Sequence, residues 1–266
     1  MLNKMMVAPG KRANLARRKP DETFGWDKAD AKKELSKLIV RLSELQNRLA
    51  AESKQSLLVV LQAMDAAGKD GVVRSIFTGV NPAGVSVTSF KAPTSEELAH
   101  DYLWRVHAAM PRRGQIGIFN RSHYEDVLVV RVHNFAPEAQ WSKRYRHIRE
   151  FERMATEEGT RIVKIHLQIS LEAQRQREQD RIDTIEKRWK FNKQDLVDRQ
   201  LWPQFMKAYE DVFSETGTED APWYIVPSDR NWVRNLVVAQ ILVHTLEQMD
   251  PHFPPGQPDI EGIVVI

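Results

Sequence analysis

A short run of small residues, a lysine and two carboxylates, Asp65-Ala-Ala-Gly-Lys-Asp-Gly71, offers the clearest chemistry in this sequence. It follows the apolar, uncharged run Leu57–Leu61, which predicts a strand covered on both faces, and it precedes a helix predicted over Val72–Gly79. Small residues let backbone N–H groups converge on an anion, the helix N-terminus adds partial positive charge, and Lys69 adds a full charge. The run therefore predicts a phosphate-binding loop.

The loop departs at two positions from the common nucleotide-binding pattern G-x-x-x-x-G-K-[ST]. Ala63 stands in place of the first glycine and Asp70 in place of the hydroxyl residue, whereas Gly68 and Lys69 match. Because Asp70 cannot donate a metal-binding hydroxyl, a metal ion must attach differently, and Asp65 is expected to hold Mg²⁺ directly or through water. The alternative for Lys69 is an exposed surface lysine after a turn.

A second polar segment, Asn120–Asp126, follows the apolar run Gln115–Phe119, which predicts another strand. Arg121 is expected to contact phosphate with both arms of its guanidinium, and Glu125 or Asp126 is expected to bind a metal or orient the acceptor. The alternative is a capped turn with a surface salt bridge. For the histidine and tyrosine of this segment, packing or hydrogen bonding is an equally good interpretation.

The segment from Leu171 to Phe213 is long, highly charged and rich in arginine. Its basic residues include Arg175, Arg177, Arg181, Lys187, Arg188 and Lys190, with acidic residues between them. A solvated, salt-bridged helix face is the ordinary interpretation of such a run. Its position between the fourth and fifth predicted strands favours a helical lid that brings arginines onto a phosphate and excludes water. Trp189 and Phe191 are expected to anchor one end of this lid.

The composition is that of a globular protein with a slight excess of positive charge. The chain has 266 residues, of which 42% are hydrophobic and 28% charged, with a net charge of +3 and a pI near 9.0. The absence of cysteine excludes disulfides and thiolate metal sites. No apolar run approaches the roughly 20 residues of a membrane-spanning helix. We therefore expect a soluble, cytoplasmic protein with no membrane partner, and the charge suits a polyanionic ligand without requiring one.

Apolar runs that predict strands alternate with segments of helical pattern. The strands are predicted at 57–61, 85–90, 115–119, 161–170 and 221–227, and the helices at 30–49, 72–79, 94–110, 138–158 and 231–249. This alternation predicts an α/β fold with a five-stranded, mostly parallel sheet and helices on both faces. Ligands bind beyond the carboxyl ends of such strands, which is where the loop, the second polar segment and the lid all fall.

The domain boundaries follow from the same pattern. We expect one domain over residues 30–250, with the lid inserted at about 171–213. A mobile basic leader is expected over residues 1–29, because it has many cations and few large apolar residues. An irregular, proline-rich tail is expected over residues 251–266.

Four segments together resemble the polyphosphate kinase-2 family. They are the phosphate-binding loop, Phe119–Tyr124, Lys187–Lys190 and Ala221–Asp229, and they occur in the family's order across about residues 30–250. The resemblance implies a P-loop kinase-like three-layer sandwich with a helical lid. It further implies phosphate transfer between inorganic polyphosphate and nucleotides with Mg²⁺ or Mn²⁺, and a homodimer or homotetramer.

The resemblance also assigns roles by position. The residues carried over are Asp65 and Lys69 in the loop, Arg121 as the phosphate-contacting arginine, and Arg177 and Arg181 in the lid. Asn120 departs from the family pattern, since many members have aspartate there as a second metal-directing acid, so Glu125 or Asp126 becomes the candidate replacement. The sequence Tyr124-Glu125-Asp126 resembles the class III branch, whose members accept both nucleoside monophosphates and diphosphates.

The predicted function is transfer of the terminal phosphate of polyphosphate onto AMP, ADP and, as further candidates, guanine nucleotides. The expected catalytic residues are Asp65, Lys69, Arg121 and Glu125, with Asp65 and either Glu125 or Asp126 as metal ligands. Phosphate or nucleotide binding is expected from Ala66, Ala67, Gly68, Asp70, Gly71, Lys91, Asn120, Asp126, Arg177 and Arg181. The expected polyphosphate channel consists of Lys69, Arg74, Arg121, Lys187, Arg188 and Lys190.

Two alternative functions stay open at this point. An ATP-dependent nucleoside monophosphate kinase would use the same loop, although the missing hydroxyl at Asp70 disfavours it. A non-catalytic polyanion- or nucleic-acid-binding protein would use the basic leader and lid and would bind with strong salt dependence. No recognised nucleic-acid motif supports the second alternative, so no nucleic-acid partner is expected.

Overall fold

The computed structural model describes residues 1–258 and 263–265, and its centre is one five-stranded sheet. The strands are β1 (Ser56–Gln62), β2 (Val85–Ser89), β3 (Ile116–Asn120), β4 (Thr160–Gln168) and β5 (Trp223–Pro227). Their order is β2-β3-β1-β4-β5, and every neighbouring pair is parallel. β1 is buried along its whole length between β3 and β4, which explains why its sequence carries no charge.

Helices cover both faces of the sheet. They are α1 (Leu2–Met5), α2 (Lys28–Glu52), α3 (Lys69–Ile76), α4 (Ser95–Leu98), α5 (Trp104–Ala108), α6 (Val129–Val132), α7 (Glu138–Glu157), α8 (Leu171–Asp183), α9 (Lys193–Gln200), α10 (Trp202–Thr216) and α11 (Asn231–Met249). Short 3₁₀ turns occupy Leu15–Arg17, Pro82–Gly84, His123–Asp126 and Ile185–Lys190. The predicted α/β fold with a P-loop kinase-like sheet and a helical lid is confirmed, and the sheet is parallel throughout.

The helix predicted over 94–110 is interrupted in the structure. Thr94 forms a capping box with Glu97, so α4 starts where the sequence indicates. The chain then turns after α4, and the Asp101 carboxylate accepts from the Leu103 backbone N–H just before α5 begins. An aspartate that bonds its own backbone two residues on competes with helix continuation, which is the physical reason for the break.

The N-terminal residues pack against the domain, which corrects the expectation of a mobile leader. Met5, Val7 and Leu15 are buried, and the Val7 N–H donates to the Trp223 carbonyl of the edge strand β5 at 2.8 Å. The Gln168 side chain, at the end of β4, donates to the Leu15 carbonyl at 2.9 Å. The buried apolar residues of this segment therefore determine its position, although the segment is basic.

The C-terminal tail carries no helix or strand over residues 251–258, and residues 259–262 and 266 of the predicted irregular tail lie outside the described residues. In the described part of the chain, no helix is long and apolar enough to span a bilayer.

Candidate active site

The loop between β1 and α3 forms one end of a cleft of about 970 Å³ at the carboxyl edge of the sheet. Gly68 caps α3 with φ of 103°, a conformation that glycine adopts without steric cost. The first N–H groups of α3 have no partner within the helix, and no side chain caps them. The helix therefore presents unpaired donors and a partial positive charge at the loop, as the sequence predicts.

Most of the predicted phosphate-binding residues come together in this cleft. Those that line it are Asp65, Ala66, Gly68, Lys69, Asp70, Gly71, Arg74, Lys91, Asn120, Arg121, Arg177, Arg181, Lys187 and Lys190. Ala67 is fully buried behind them and contributes its backbone carbonyl. Residues that are far apart in sequence meet because parallel strands present their carboxyl ends at one edge.

Lys69 is buried, so the alternative of an exposed surface lysine is wrong. Its ammonium donates to the carbonyl of Ala63 at 2.8 Å. Burial lowers the pKa of Lys69, and the negative charge of Asp65 opposes that shift. An ammonium held at the floor of the cleft by a backbone carbonyl is available to a phosphate oxygen.

Asp65 and Arg121 form an ion pair across the cleft. An Arg121 amino group donates to an Asp65 carboxylate oxygen at 2.6 Å. Burial acts to raise the pKa of Asp65, but the charges of Lys69 and Arg121 outweigh it and the pKa is lowered. Asp65 is therefore ionised, as a metal ligand must be. Arg121 has φ of 61°, an uncommon conformation for a residue other than glycine, and such strain concentrates at functional sites.

Asn120, the departure from the family pattern, donates its amide to Asp70 at 2.6 Å. An aspartate at position 120 would place two carboxylates at hydrogen-bond distance, and such pairs repel unless one is protonated. The asparagine thus allows Asp70 to stand at the start of α3. Asn120 therefore bonds Asp70 without placing a further carboxylate beside it.

Glu125 and Asp126 both line a second cavity of about 1000 Å³. Burial raises the pKa of Glu125, although Arg121 and Lys69 oppose that shift. Asp126 accepts from Arg144 at 2.8 Å on the wall of this cavity. The structure therefore brings Glu125 to the charges of the loop, whereas Asp126 is already paired elsewhere and is the poorer metal candidate.

The two cavities meet at Arg121. Phe90, Lys91, Ala92 and Arg121 line both of them. The second cavity adds aromatic and apolar walls together with the cations of Arg105 and Arg144, and its other wall residues include Tyr102, Val129, Phe135 and Pro137. A polyanion in the first space and a nucleotide-sized molecule in the second would approach each other at the Arg121 guanidinium.

The tyrosine and histidine that follow Arg121 are core residues, so the packing interpretation is confirmed for both. Tyr124 is fully buried and donates its hydroxyl to Glu152 at 2.7 Å. Lys164 donates to the other oxygen of that carboxylate at 2.6 Å, and the His123 ring lies 3.4 Å from the oxygen that Tyr124 contacts. This buried network fixes the turn that carries Glu125.

The lid arginines are engaged with protein atoms. Arg177 donates to the carbonyls of Ala66 at 2.9 Å and Ser228 at 2.7 Å, so it holds the backbone of the loop. Arg181 pairs with Glu178 at 2.9 Å and with Asp195 at 3.3 Å. Both line the cleft as predicted, but Arg177 acts on the loop itself.

The outer part of the lid is more exposed to solvent than the sequence predicts. Lys187 and Lys190 line the cleft, whereas Arg188 donates to the Ile182 carbonyl of its own segment at 2.8 Å. Trp189 is 78% exposed, so the expectation that it anchors the lid is wrong. Its ring lies under the Lys190 ammonium at 5.0 Å from ring centre to nitrogen.

Two residues of the cleft were missed by sequence reasoning. Asp195 in α9 faces the loop acid, and burial together with the charges of Asp65 and Glu178 raises its pKa to about 7. Arg234 in α11 lies beneath the loop and is 3% exposed. A signal for Arg234 was present, because an arginine and an asparagine interrupt the otherwise apolar start of α11.

The available protein ligands fit a Mg²⁺-like ion that takes most of its coordination shell from water and substrate phosphates. Among the described residues, no group of three or more His, Cys, Asp or Glu side chains could hold a metal. The ionised Asp65 carboxylate fits Mg²⁺, which commonly takes one or two carboxylates and completes its shell with water and substrate phosphates.

A parallel α/β sheet with a phosphate loop after its central strand and a basic helical lid defines a P-loop kinase-like protein. Residues 25–254 match the family described as Polyphosphate kinase 2 (PPK2), and the chain belongs to that family. The resemblance that the sequence motifs indicate is thereby confirmed.

Individual relatives match most of the chain. One is the Meiothermus ruber protein named "AMP/ADP-polyphosphate phosphotransferase", 54% identical over an alignment of 266 positions that covers 99% of this chain and 100% of that protein. Another is the "ADP-polyphosphate phosphotransferase" of Rhodopseudomonas palustris, 47% identical over 233 residues, covering 83% and 80% of the two chains. The crystal structure of Polyphosphate Kinase 2 from Arthrobacter aurescens superposes with a TM-score of 0.92 at 41% identity, covering 97% of this chain and 92% of that one.

Proposed function

We propose that this protein transfers the terminal phosphate of inorganic polyphosphate onto nucleoside mono- and diphosphates, AMP to ADP and ADP to ATP, and reversibly. The observation that carries the proposal is the meeting of a basic cleft and a nucleotide-sized cavity at Arg121. Family membership and the name of the M. ruber relative, which specifies both AMP and ADP, support it.

Polyphosphate lies in the cleft along Arg74, Lys187 and Lys190, with its terminal phosphate at the N-terminus of α3. An acceptor phosphate oxygen attacks that terminal phosphorus, a new P–O bond forms, and the terminal anhydride P–O bond of the chain breaks. Lys69 and Arg121 neutralise charge on the transferred group, which is the main catalytic demand of phosphoryl transfer.

Mg²⁺ or Mn²⁺ is the proposed metal, and Asp65 is its proposed ligand. The Asp65 carboxylate would hold this ion, which when bound would supply positive charge to neutralise phosphate oxygens. Arg121 holds the Asp65 carboxylate at 2.6 Å and so fixes its orientation. Glu125, whose pKa is raised by burial, is proposed to act on the acceptor side of Arg121.

Finer features belong to the same proposal. Guanine nucleotides are further candidate acceptors, because the second cavity offers apolar and aromatic walls on which any purine can pack. A homodimer or homotetramer and a cytoplasmic location are proposed on the family resemblance.

The test supplies polyphosphate, Mg²⁺ and AMP, then ADP in place of AMP, and follows ADP and ATP by chromatography. We expect both products, and we expect ATP to be a poor donor toward AMP. Lys69→Ala, purified in parallel, should be inactive and so exclude a contaminating kinase. Absence of product from both acceptors would overturn the proposal, and faster transfer from ATP than from polyphosphate would favour a nucleoside monophosphate kinase.

A further inference from the structure

In the part of the chain that the structure describes, Arg234 is a buried cation without an acidic partner. Its guanidinium donates to the Ala67 carbonyl at 3.1 Å and to side-chain oxygens of Asn231 and Asn235 at 2.8 and 2.9 Å. Within residues 1–258 and 263–265, no carboxylate pairs with it, and the positive charge of Arg177 acts on it unfavourably. Burial lowers the pKa of Arg234 to about 10. A buried charge with only neutral partners is costly to fold, so its presence requires an explanation.

The loop is shaped to receive this guanidinium. A Cβ atom on Gly68 would lie 1.9 Å from one Arg234 amino nitrogen, and a Cβ on Gly71 would lie 2.9 Å from the other. Both separations are too short for an ordinary contact, so any side chain at either position would have to displace the arginine. The two loop glycines therefore serve the approach of Arg234 as well as the approach of an anion.

The contacts of Arg234 fix the direction of a peptide group in the loop. The Ala67 carbonyl accepts from Ser228 at 2.6 Å, from Arg234 at 3.1 Å and from Arg177 at 3.3 Å. In a trans peptide the C=O of one residue and the N–H of the next point in opposite directions. Holding the Ala67 oxygen against α11 therefore directs the Gly68 N–H away from that contact.

We propose that Arg234 is a positioning residue of the polyphosphate site, which holds the loop with its amides toward the polyanion and keeps an uncompensated positive charge beneath it. The inference rests on the proposed function, because the polyanion is the proposed source of the missing negative charge. The floor of the cleft then carries Lys69 and Arg234, both bonded to loop carbonyls and neither paired with a carboxylate among the described residues.

The first test compares Arg234→Met and Arg234→Lys with the wild-type protein. Tripolyphosphate binding is measured by calorimetry, and steady-state kinetics separate the KM for polyphosphate from the KM for AMP. For Arg234→Met we expect binding and the polyphosphate KM to worsen by about tenfold or more, the size of a lost charge-assisted bond, with the AMP KM within about twofold. Arg234→Lys should recover part of the lost tripolyphosphate affinity, because lysine keeps the positive charge but lacks the several N–H donors of the planar guanidinium.

Melting temperature distinguishes positioning from a purely structural role. Without phosphate, Arg234→Met should melt at or above the wild-type temperature, because the buried cation has no carboxylate partner. Its rise in melting temperature on adding tripolyphosphate should be smaller than that of the wild type. A lower melting temperature with unchanged tripolyphosphate affinity would overturn the inference. Arg153→Met, at an exposed position in α7, is the matched control and should change none of these values.

The second test asks whether Arg234 acts through the loop. Gly71→Ala should weaken tripolyphosphate binding in the wild-type background, because its Cβ displaces the guanidinium. In the Arg234→Met background the same change should have little further effect, since the methionine ends short of Gly71. Equal losses in both backgrounds would contradict the proposed coupling. If the wild-type protein binds tripolyphosphate but transfers no phosphate, the proposed function fails while the positioning role stands.

Discussion

At the scale of single residues, the titration of Asp195 tests whether this lid residue is buried near Asp65 of the loop. Its pKa of about 7 lies far above the ordinary value of 3.8, so the folded protein holds this proton more tightly than the unfolded chain. A raised carboxyl pKa makes stability fall as pH rises from about 4 to about 7 and leaves it constant above that range.

We therefore expect Asp195→Asn to melt higher than the wild type at pH 8, by roughly 2 °C or more, and at nearly the same temperature at pH 4. The measurement is thermal unfolding across pH in buffers free of phosphate and divalent metal. A melting-temperature difference that stays constant with pH would show that Asp195 does not titrate in the way its surroundings imply. Asp30→Asn, at an exposed position in the first turn of α2, controls for the loss of a carboxyl group.

Substitutions of Lys69 and Asp65 test whether the phosphate loop takes part in catalysis. We expect Lys69→Ala and Asp65→Asn each to lower kcat by about a hundredfold or more, the range seen when a charge-stabilising group is removed. Melting temperature should change little in Lys69→Ala, because the ammonium bonds a backbone carbonyl and no carboxylate. Steady-state rates and thermal unfolding of the same samples provide the check, and near-normal rates in both variants would remove the loop from the mechanism.

Sequence reasoning found the residues whose chemistry is local. Asp65 and Lys69 lie within one short motif, and Arg121 follows a strand end, so type and spacing were sufficient to predict them. Arg234 and Asp195 depend on the proximity of distant segments: Arg234 of α11 donates to a loop carbonyl, and the charge of Asp65 acts on Asp195 of α9. No periodicity in the sequence indicates such contacts.

At the scale of elements, the N-terminal segment is a strap that lies over the edge of the sheet and against helix α10. The Leu15 N–H donates to Glu210 of the lid helix α10 at 2.8 Å, and the Asp229 N–H donates to the Pro20 carbonyl at 3.0 Å. Its basic character predicted a mobile leader, since this segment contains Lys4, Lys11, Arg12, Arg17, Arg18 and Lys19. The segment is held in place because a few of its apolar side chains are buried at the edge of the sheet. Composition alone does not reveal where those residues pack.

Deletion of residues 2–19 should destabilise the protein measurably. Met5, Val7 and Leu15 are buried, and each such side chain contributes about 1.5–3 kcal/mol by its removal from water. We expect lower denaturant midpoints and melting temperature for the truncated protein. The triple variant Lys4→Ala/Lys11→Ala/Arg17→Ala, which removes exposed charges from the same segment, should unfold like the wild type. If the triple variant is destabilised and the truncation is not, charge rather than apolar burial holds the strap.

At the scale of the whole molecule, the net charge of +3 understates the charge that a polyanion meets. Cations gather where the parallel strands end, since Lys69, Arg74, Lys187 and Lys190 line one cleft. The cations that line the cleft outnumber its aspartates, so the cleft has an excess of positive charge. Low-dielectric walls concentrate the field of such an excess, and mobile ions screen it strongly at exposed positions. The number of strands and their alternation with helices predicted this common edge, whereas the openness of the lid depends on packing that the pattern does not encode.

Salt should consequently weaken donor binding more than acceptor binding. Raising KCl from about 50 to about 300 mM shortens the screening length to several ångströms, so we expect the KM for polyphosphate to rise severalfold and the KM for AMP to rise less. The double variant Lys187→Ala/Lys190→Ala should have a higher polyphosphate KM at low salt and a weaker salt dependence, because these lid lysines line the cleft at exposed positions. Kinetics at several polyphosphate chain lengths make the comparison sharper, since a short chain that ends before the lid should be insensitive to the double variant. Equal salt dependence of the two KM values, or an unchanged salt dependence in the variant, would show that the polyanion does not extend along the lid.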